Sequence, residues 1–353
     1  MKIIKPSVEI MHHGLEVNPM TPEQLIEKVG RTCYKSEDKI TDDSAAKFVS
    51  GLIKREHEAM IEHYSLIFRT EPMWYEEILQ DWDMLMHNGN LYEANNELLE
   101  KNLKPFLRFT DTEIDDECRC IVSGNMRAWR DYAKACVALF GFIPQYMYGM
   151  IRNYPLFFPE YQAYVPAVIV NDILIPITVS DLKGYFEHSV HHDITVKFTC
   201  DRGVSHEIVR HRTASFAQES TRYCNYGLGK FDGEITVVMP AKWIGANVDR
   251  LADDPAYQAW AMATANSEHY YFDMLEAGST PQEARAVLLN SLKTEVIMTS
   301  NLDGWDHFFS LRCAPDAHPD IRVVANKAYM EFLDIMPERY GCVVSVMAEV
   351  VVE

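Results

Sequence analysis

"RHRTASFAQESTRYCNY", residues 210–226, crowds Arg210, Arg212 and Arg222 into one short stretch and interleaves them with Ser215, Gln218 and Ser220. The surrounding chain is acidic: 33 Lys and Arg stand against 52 Asp and Glu, a net charge of −19. A local knot of guanidiniums in such a chain calls for an anion. Arg210, His211 and Arg212 are consecutive, so in a helix they would point about 100° apart and could not all reach one atom. At a helix end they could line the walls of one pocket, or simply compensate the helix dipole. Gln218, Ser220 and Arg222 alternate, so an extended segment would turn all three to one side. An amide, a hydroxyl and a guanidinium on one face make a phosphate cradle; a solvated loop accounts for the spacing equally well.

The rest of the chain bounds the answer. Its 353 residues can bury a large core, and 48% apolar with 24% charged residues is ordinary for a soluble globular protein. The acidic balance argues against a nucleic-acid binder, which needs a basic face. No apolar run approaches the roughly 20 residues of a membrane span, and "MKIIKPSVEIMHHG" lacks the apolar stretch of a signal peptide. Eight cysteines without secreted-type spacing read as reduced thiols in a cytoplasmic protein. The pair in "CRC" is too tight for a usual zinc knuckle, so no metal site is expected there.

Helix signals punctuate the chain. "MTPEQLIEKVG" has Thr21 as cap, Pro22 at the first position and Gln24 closing a capping box. A second helix is expected from about Asp43 to Glu56, followed by the strand "HYSLIFRT". Residues 71–190 differ in texture, with an amphipathic helix "WYEEILQDWDMLM" and an expected hairpin "AVIVNDILIPIT" turning at Asn171-Asp172, Pro176 marking an edge strand. Beyond them come a strand "DITVKFTC", a helix "DRGVSHEIVRHR", a long helix ending at Gly278, a capping box at Thr280 and Glu283, a strand "TEVIMTS" and a helix "NLDGWDHFFSLR" capped by Ser300 or Asn301. One internal echo stands out: "CIVSGNMRAWRDY" and "VIMTSNLDGWDHF" each read as a strand, then Asn, then a Trp-bearing helix. An ancient duplication is one reading of it.

Arg312 closes the stripe Trp305, Phe308, Phe309, Arg312 at i, i+3, i+4 and i+7. A buried arginine needs a partner, either an internal carboxylate or an anionic ligand. Arg285, near the start of its own helix, sits where cations are disfavoured unless an anion lies close. "HEAMIEH" is not HExxH, since His57 and His63 are six apart; Glu58 and Glu62 do stack, which leaves a carboxylate metal site or a polar helix end. Neither a Walker loop nor GxGxxG is present.

"RHR", seven residues, then Ser resembles the signature of the flavin-dependent thymidylate synthases. "HEAMIEH", "DRGVSHEIVRHR", "STRY", "EARAVLLN" and "SNLDGWDHFFSLR" resemble that family's blocks in order, over about residues 1–70 and 191–353. The resemblance implies an α+β, thymidylate synthase-complementing-type fold, an antiparallel sheet flanked by helices, with residues 71–190 as a mixed α/β insertion. It implies reductive methylation of deoxyuridylate (dUMP) to dTMP, with methylenetetrahydrofolate as carbon donor and FAD, reduced by NADPH, as hydride carrier. By position, Arg210, His211, Arg212, Asn301, His307 and His57 match flavin contacts. Glu207, Arg210, Gln218, Ser220, Arg222 and Arg285 match the dUMP cradle, and Arg312 matches the catalytic arginine on the pyrimidine. A homotetramer with shared active sites is implied as well. The sequence departs from the family at Asp303, where many members have Arg, at Ala59, and in residues 71–190. Ser220 reads as a binding hydroxyl rather than a nucleophile, because no base stands at a suitable spacing. The alternatives are an FAD- and nucleotide-binding homologue without methyl transfer, a nucleic-acid module using the RHR stretch, and a carboxylate metal hydrolase at residues 57–63.

Overall fold

The computed structural model describes residues 1–87, 106–114, 117–169, 171–182, 189–222, 225–227, 231 and 233–341. Among them ten strands form three sheets: β1 (Lys2–Ile4), β2 (Ser7–His12), β3 (Ser65–Thr70), β4 (Leu107–Ile114), β5 (Glu117–Asn125), β6 (Ile175–Ile177), β7 (Asp193–Asp201), β8 (Ser215–Gln218), β9 (Thr236–Val238) and β10 (Lys293–Asn301). One antiparallel sheet has the order β2-β7-β10-β8, a second the order β4-β5-β3-β6, and β1 pairs in parallel with β9. The α+β class with antiparallel sheets and packed helices holds. β3 is bonded on both sides to strands from residues 71–190, so it shares its sheet with that segment.

Both large sheets carry packed apolar residues on both faces. In β10, Val296 and Met298 face the helices Leu302–Arg312 and Pro319–Ile335, while Ile297 faces Leu25 and Val29 of the helix Pro22–Tyr34. In β5, Cys120 and Val122 face the helix Met126–Phe140, and Ile121 faces Val179 and Leu182. Trp305 and Trp129 are buried at the centres of their respective cores.

Capping chemistry sets the helix starts. Thr21 and Gln24 make the reciprocal box. Asp201 accepts from Val204 N at 2.7 Å and opens the helix Arg202–Ile208, while Asn301, not Ser300, caps Leu302–Arg312 through Gly304 N at 2.9 Å. Thr280 and Glu283 close their box, but the helix they start spans only Pro281–Ala284, leaving Arg285 at its end rather than near its beginning. The hairpin expected over residues 167–178 does not form among the described residues: Ile175–Ile177 pairs with β3 instead, with Pro176 on the sheet edge as expected. Asp172 packs against Gly149, where an added Cβ would meet its carboxylate, so the intended turn is anchored to another element. No helix among the described residues is long and apolar enough to cross a membrane.

Candidate functional site

The helix Arg202–Ile208 is the hub. Its end is fixed by Arg210 N donating to Glu207 O and His211 N donating to Ile208 O, both at 3.3 Å, so the RHR triplet follows the helix instead of lying within it. His211 turns inward and is buried; Arg210 and Arg212 stay exposed. From the opposite side the helix Leu302–Arg312 delivers Arg312. Its Nε donates to His211 Nε2 at 3.1 Å, Nη1 to Glu207 Oε2 at 3.0 Å and Nη2 to the Glu207 carbonyl at 3.1 Å. The arginine therefore has its internal carboxylate, and three of its five N–H donors are committed.

This bonding dictates a protonation state. Arginine only donates, so His211 Nε2 must carry a lone pair, and a neutral ring then has its proton on Nδ1. Burial, the Arg312 charge and His307 together push His211 down to about 4. Phe308 and His307 flank the ring at centroid distances of 4.9 and 5.8 Å.

On another face of the hub helix, Arg202 and His206 stack at i and i+4. With Thr221, Gln282, Arg285 and Asn290 they line an open cleft of about 560 Å³. Arg285 Nη1 donates to Thr221 Oγ1 at 3.2 Å. Between the two groups, Gln218 Nε2 donates to Ser205 Oγ at 3.0 Å and Thr294 Oγ1 at 3.2 Å. β8 ends at Gln218, so Gln218, Ser220 and Arg222 do not form one extended face. Ser220 Oγ accepts from Arg222 N at 3.4 Å where the chain turns.

Glu219, buried within this turn, explains the bend. Lys293 Nζ donates to it at 2.9 Å and to Glu295 at 2.6 Å, and Lys35 reaches Glu295 at 2.5 Å. Burial alone would raise Glu295, but Lys293 and Lys35 hold it at about 2. Sequence reasoning missed this cluster, and Arg202 and His206 too. The alternation Lys293, Glu295 in "KTE" was the available signal.

The structure thus brings together Glu207, His211, His307 and Arg312, and separately Thr221 and Arg285 with Arg202 and His206. Asn301 is committed as a cap and also donates to Val190 O at 3.3 Å. His57 is exposed before the short helix Glu58–His63. Glu58 pairs with Arg130 and Glu62 with Arg127, so these carboxylates are spent on ion pairs; no metal-binding cluster occurs among the described residues. Asp303 and Asp306 share Arg339.

A family model described as thymidylate synthase complementing protein matches residues 181–338. The flavin-dependent thymidylate synthase of Pyrococcus furiosus is 33% identical over 162 residues, 44% of this chain and 63% of its own. That of Pyrococcus abyssi is 30% identical over 165 residues, 46% and 64% of the two chains, and that of Geobacter sulfurreducens 36% over 124 residues, 35% and 49%. The chain thus spans less than two thirds of the length of these relatives.

Proposed function

We propose that this chain, whose residues 181–338 match the model described as thymidylate synthase complementing protein, converts dUMP to dTMP by reductive methylation. The observation that carries the reading is Arg312, held rigid between Glu207 and a neutral His211. Making carbon 5 of uracil nucleophilic pushes negative charge onto the ring carbonyls. A guanidinium already locked in place stabilises that charge without reorganising, a contribution worth ~10²–10³ in rate per donor. Glu207 fixes the guanidinium plane, and the neutral imidazole adds no competing charge beside it.

The cationic cleft at Arg202, His206 and Arg285 suits a nucleotide monophosphate, and Gln218, Ser220 and Arg222 join it by the resemblance alone. The exposed Arg210 and Arg212, beside His211 and His307, are a donor set that fits the diphosphate and ring edges of FAD. Asn301 and His57 join them by the resemblance alone. FAD reduced by NADPH would supply the hydride, and methylenetetrahydrofolate the carbon. The chain's own part is to bind, orient and exclude water. The assembly carried over with this reading is a homotetramer with shared active sites.

The test is chromatographic detection of dTMP from purified protein, FAD, dUMP and methylenetetrahydrofolate, with and without NADPH. NADPH-dependent product is expected. Flavin and dUMP bound without product would favour the binding homologue without methyl transfer, to which Asp303, tied to Arg339 where the family often has arginine, lends support.

A further inference from the structure

The second sheet repeats the first. Each has four antiparallel strands in equivalent order, β4-β5-β3-β6 against β8-β10-β7-β2. In each, a short 3-10 turn (Glu58–His63 or Ser189–His191) enters a strand, and a later strand ends on an asparagine that caps a helix bearing a buried tryptophan four residues on. The registers coincide: Ser65 faces Asn125 as Asp193 faces Asn301. The helix entry bonds coincide as well, Met126 N to Tyr64 O and Leu302 N to His192 O, both 3.0 Å.

Contacts between the sheets are reciprocal. His63 Nδ1 meets Thr299 Oγ1 at 2.7 Å, and His191 Nδ1 meets Ser123 Oγ at 2.7 Å. Thr299 and Ser123 each lie two residues before the capping asparagine, so these two bonds exchange under a two-fold rotation. Equivalent residues Ser65 and Asp193 lie together, Ser65 Oγ donating to the Asp193 carboxylate, as proximity to such an axis allows. The edge strands are exchanged too: β2 precedes β3 in the chain but pairs with β7, and β6 precedes β7 but pairs with β3.

The copies differ in chemistry. The position of Arg312 is held in the first copy by Cys136, fully buried, and that of His307 by Asp131. By register, Asp111 stands where the second copy has Gln218. No arginine occurs anywhere in residues 71–107, the stretch that corresponds to the RHR segment.

We infer that the chain is an internal pair, two copies of one folding unit (about residues 58–140 and 189–312) docked about a local two-fold axis through Ser65 and Asp193, of which only the second keeps an anion site. The first copy serves as a built-in partner, and His63 is a positioning residue that holds Thr299 and, through β10, the cap of the helix carrying Arg312. Each chain then binds one nucleotide, not two. This stoichiometry rests on the nucleotide reading above; the pairing does not.

Two measurements separate them. Calorimetric titration of dUMP into the full-length, FAD-loaded protein is expected to give no more than one site per chain, with all binding lost or uniformly weakened in Arg312→Ala. Two sites per chain, or half the signal surviving unchanged in Arg312→Ala, overturns the one-site assignment. No binding by the native protein overturns the nucleotide reading instead. Double-mutant cycles by urea denaturation (His63→Ala with Thr299→Ala, His191→Ala with Ser123→Ala) then judge the pairing without any ligand: coupling of one sign in both cycles is expected, and additivity in both overturns it.

Discussion

The Asn125–Trp129 and Asn301–Trp305 corners share a skeleton and diverge in what they present. Both asparagines accept from the backbone N–H three residues on, at 2.8 and 2.9 Å, and both tryptophans are buried. Beyond the tryptophan the helices part. The second packs Phe309 into its core, lays Phe308 against His211 and sets Arg312 on Glu207 and His211, whereas the first sets Tyr132, Ala133 and Cys136 into a sealed core. Where one copy needs a charge held near solvent, the other spends the same position on packing. Folding residues and chemical residues are thus separable within one repeated unit, and the paired positions are the controls for one another.

The largest effect expected is on folding, and it should be equal. Trp305→Ala and Trp129→Ala should each cost about 3–5 kcal/mol by urea denaturation, the usual toll of emptying a buried indole site. A loss confined to one copy would break the equivalence of the two cores. Next comes function, where the copies should diverge. Arg312→Ala should lower turnover by ~10²–10³ or more with FAD still bound, while Cys136→Ala, its counterpart, should leave the rate of the folded enzyme unchanged. Arg222→Ala should raise the dUMP dissociation constant; an unaltered value would remove Arg222 from the phosphate cradle.

The caps come next in size. Asn301→Ala and Asn125→Ala should each cost about 0.5–2 kcal/mol of stability, and the first should also reduce activity through Arg312. The subtlest contrast lies in pH. His211, about 4 when folded against an ordinary 6.5, binds its proton less readily in the native state. Its contribution to stability is complete above 6.5 and is lost as pH falls toward 4. Asp131, raised by burial to about 6 from 3.8, works the other way, costing stability as pH rises through that window. Melting temperatures from pH 4 to 7 should show Asp131→Asn gaining on the native protein as pH rises. His211→Asn should flatten the acid-side decline. Parallel curves for all three proteins would remove both groups from the account.

Much of this was legible in local chemistry. The boxes at Thr21 and Thr280 and the Trp305, Phe308, Phe309, Arg312 stripe all follow from short-range rules, which also narrowed one helix cap to Ser300 or Asn301 and the partner of Arg312 to a carboxylate or an anionic ligand. Long-range pairing was not legible. "SLIFRT" is buried on both faces, so its alternation names no partner, and nothing local says that β6 rather than a neighbouring hairpin arm will zip beside it. The Lys35, Glu219, Lys293, Glu295 cluster draws on three separate segments, and spacing cannot show a contact that only the fold creates. The internal echo was visible as residues, but its meaning depended on His63 and His191 meeting across the two sheets.

The exchanged edge strands carry a consequence for concentration. Two separate subunits must find each other, and their pairing weakens on dilution. Here β2 and β6 belong to one covalent chain, so each copy meets the other at an effective concentration of about millimolar or above, whatever the amount of protein in solution. A partner that can never diffuse away is relieved of every duty except docking, which is the condition under which one of two copies can lack counterparts of the RHR triplet and of Arg312 and still be kept.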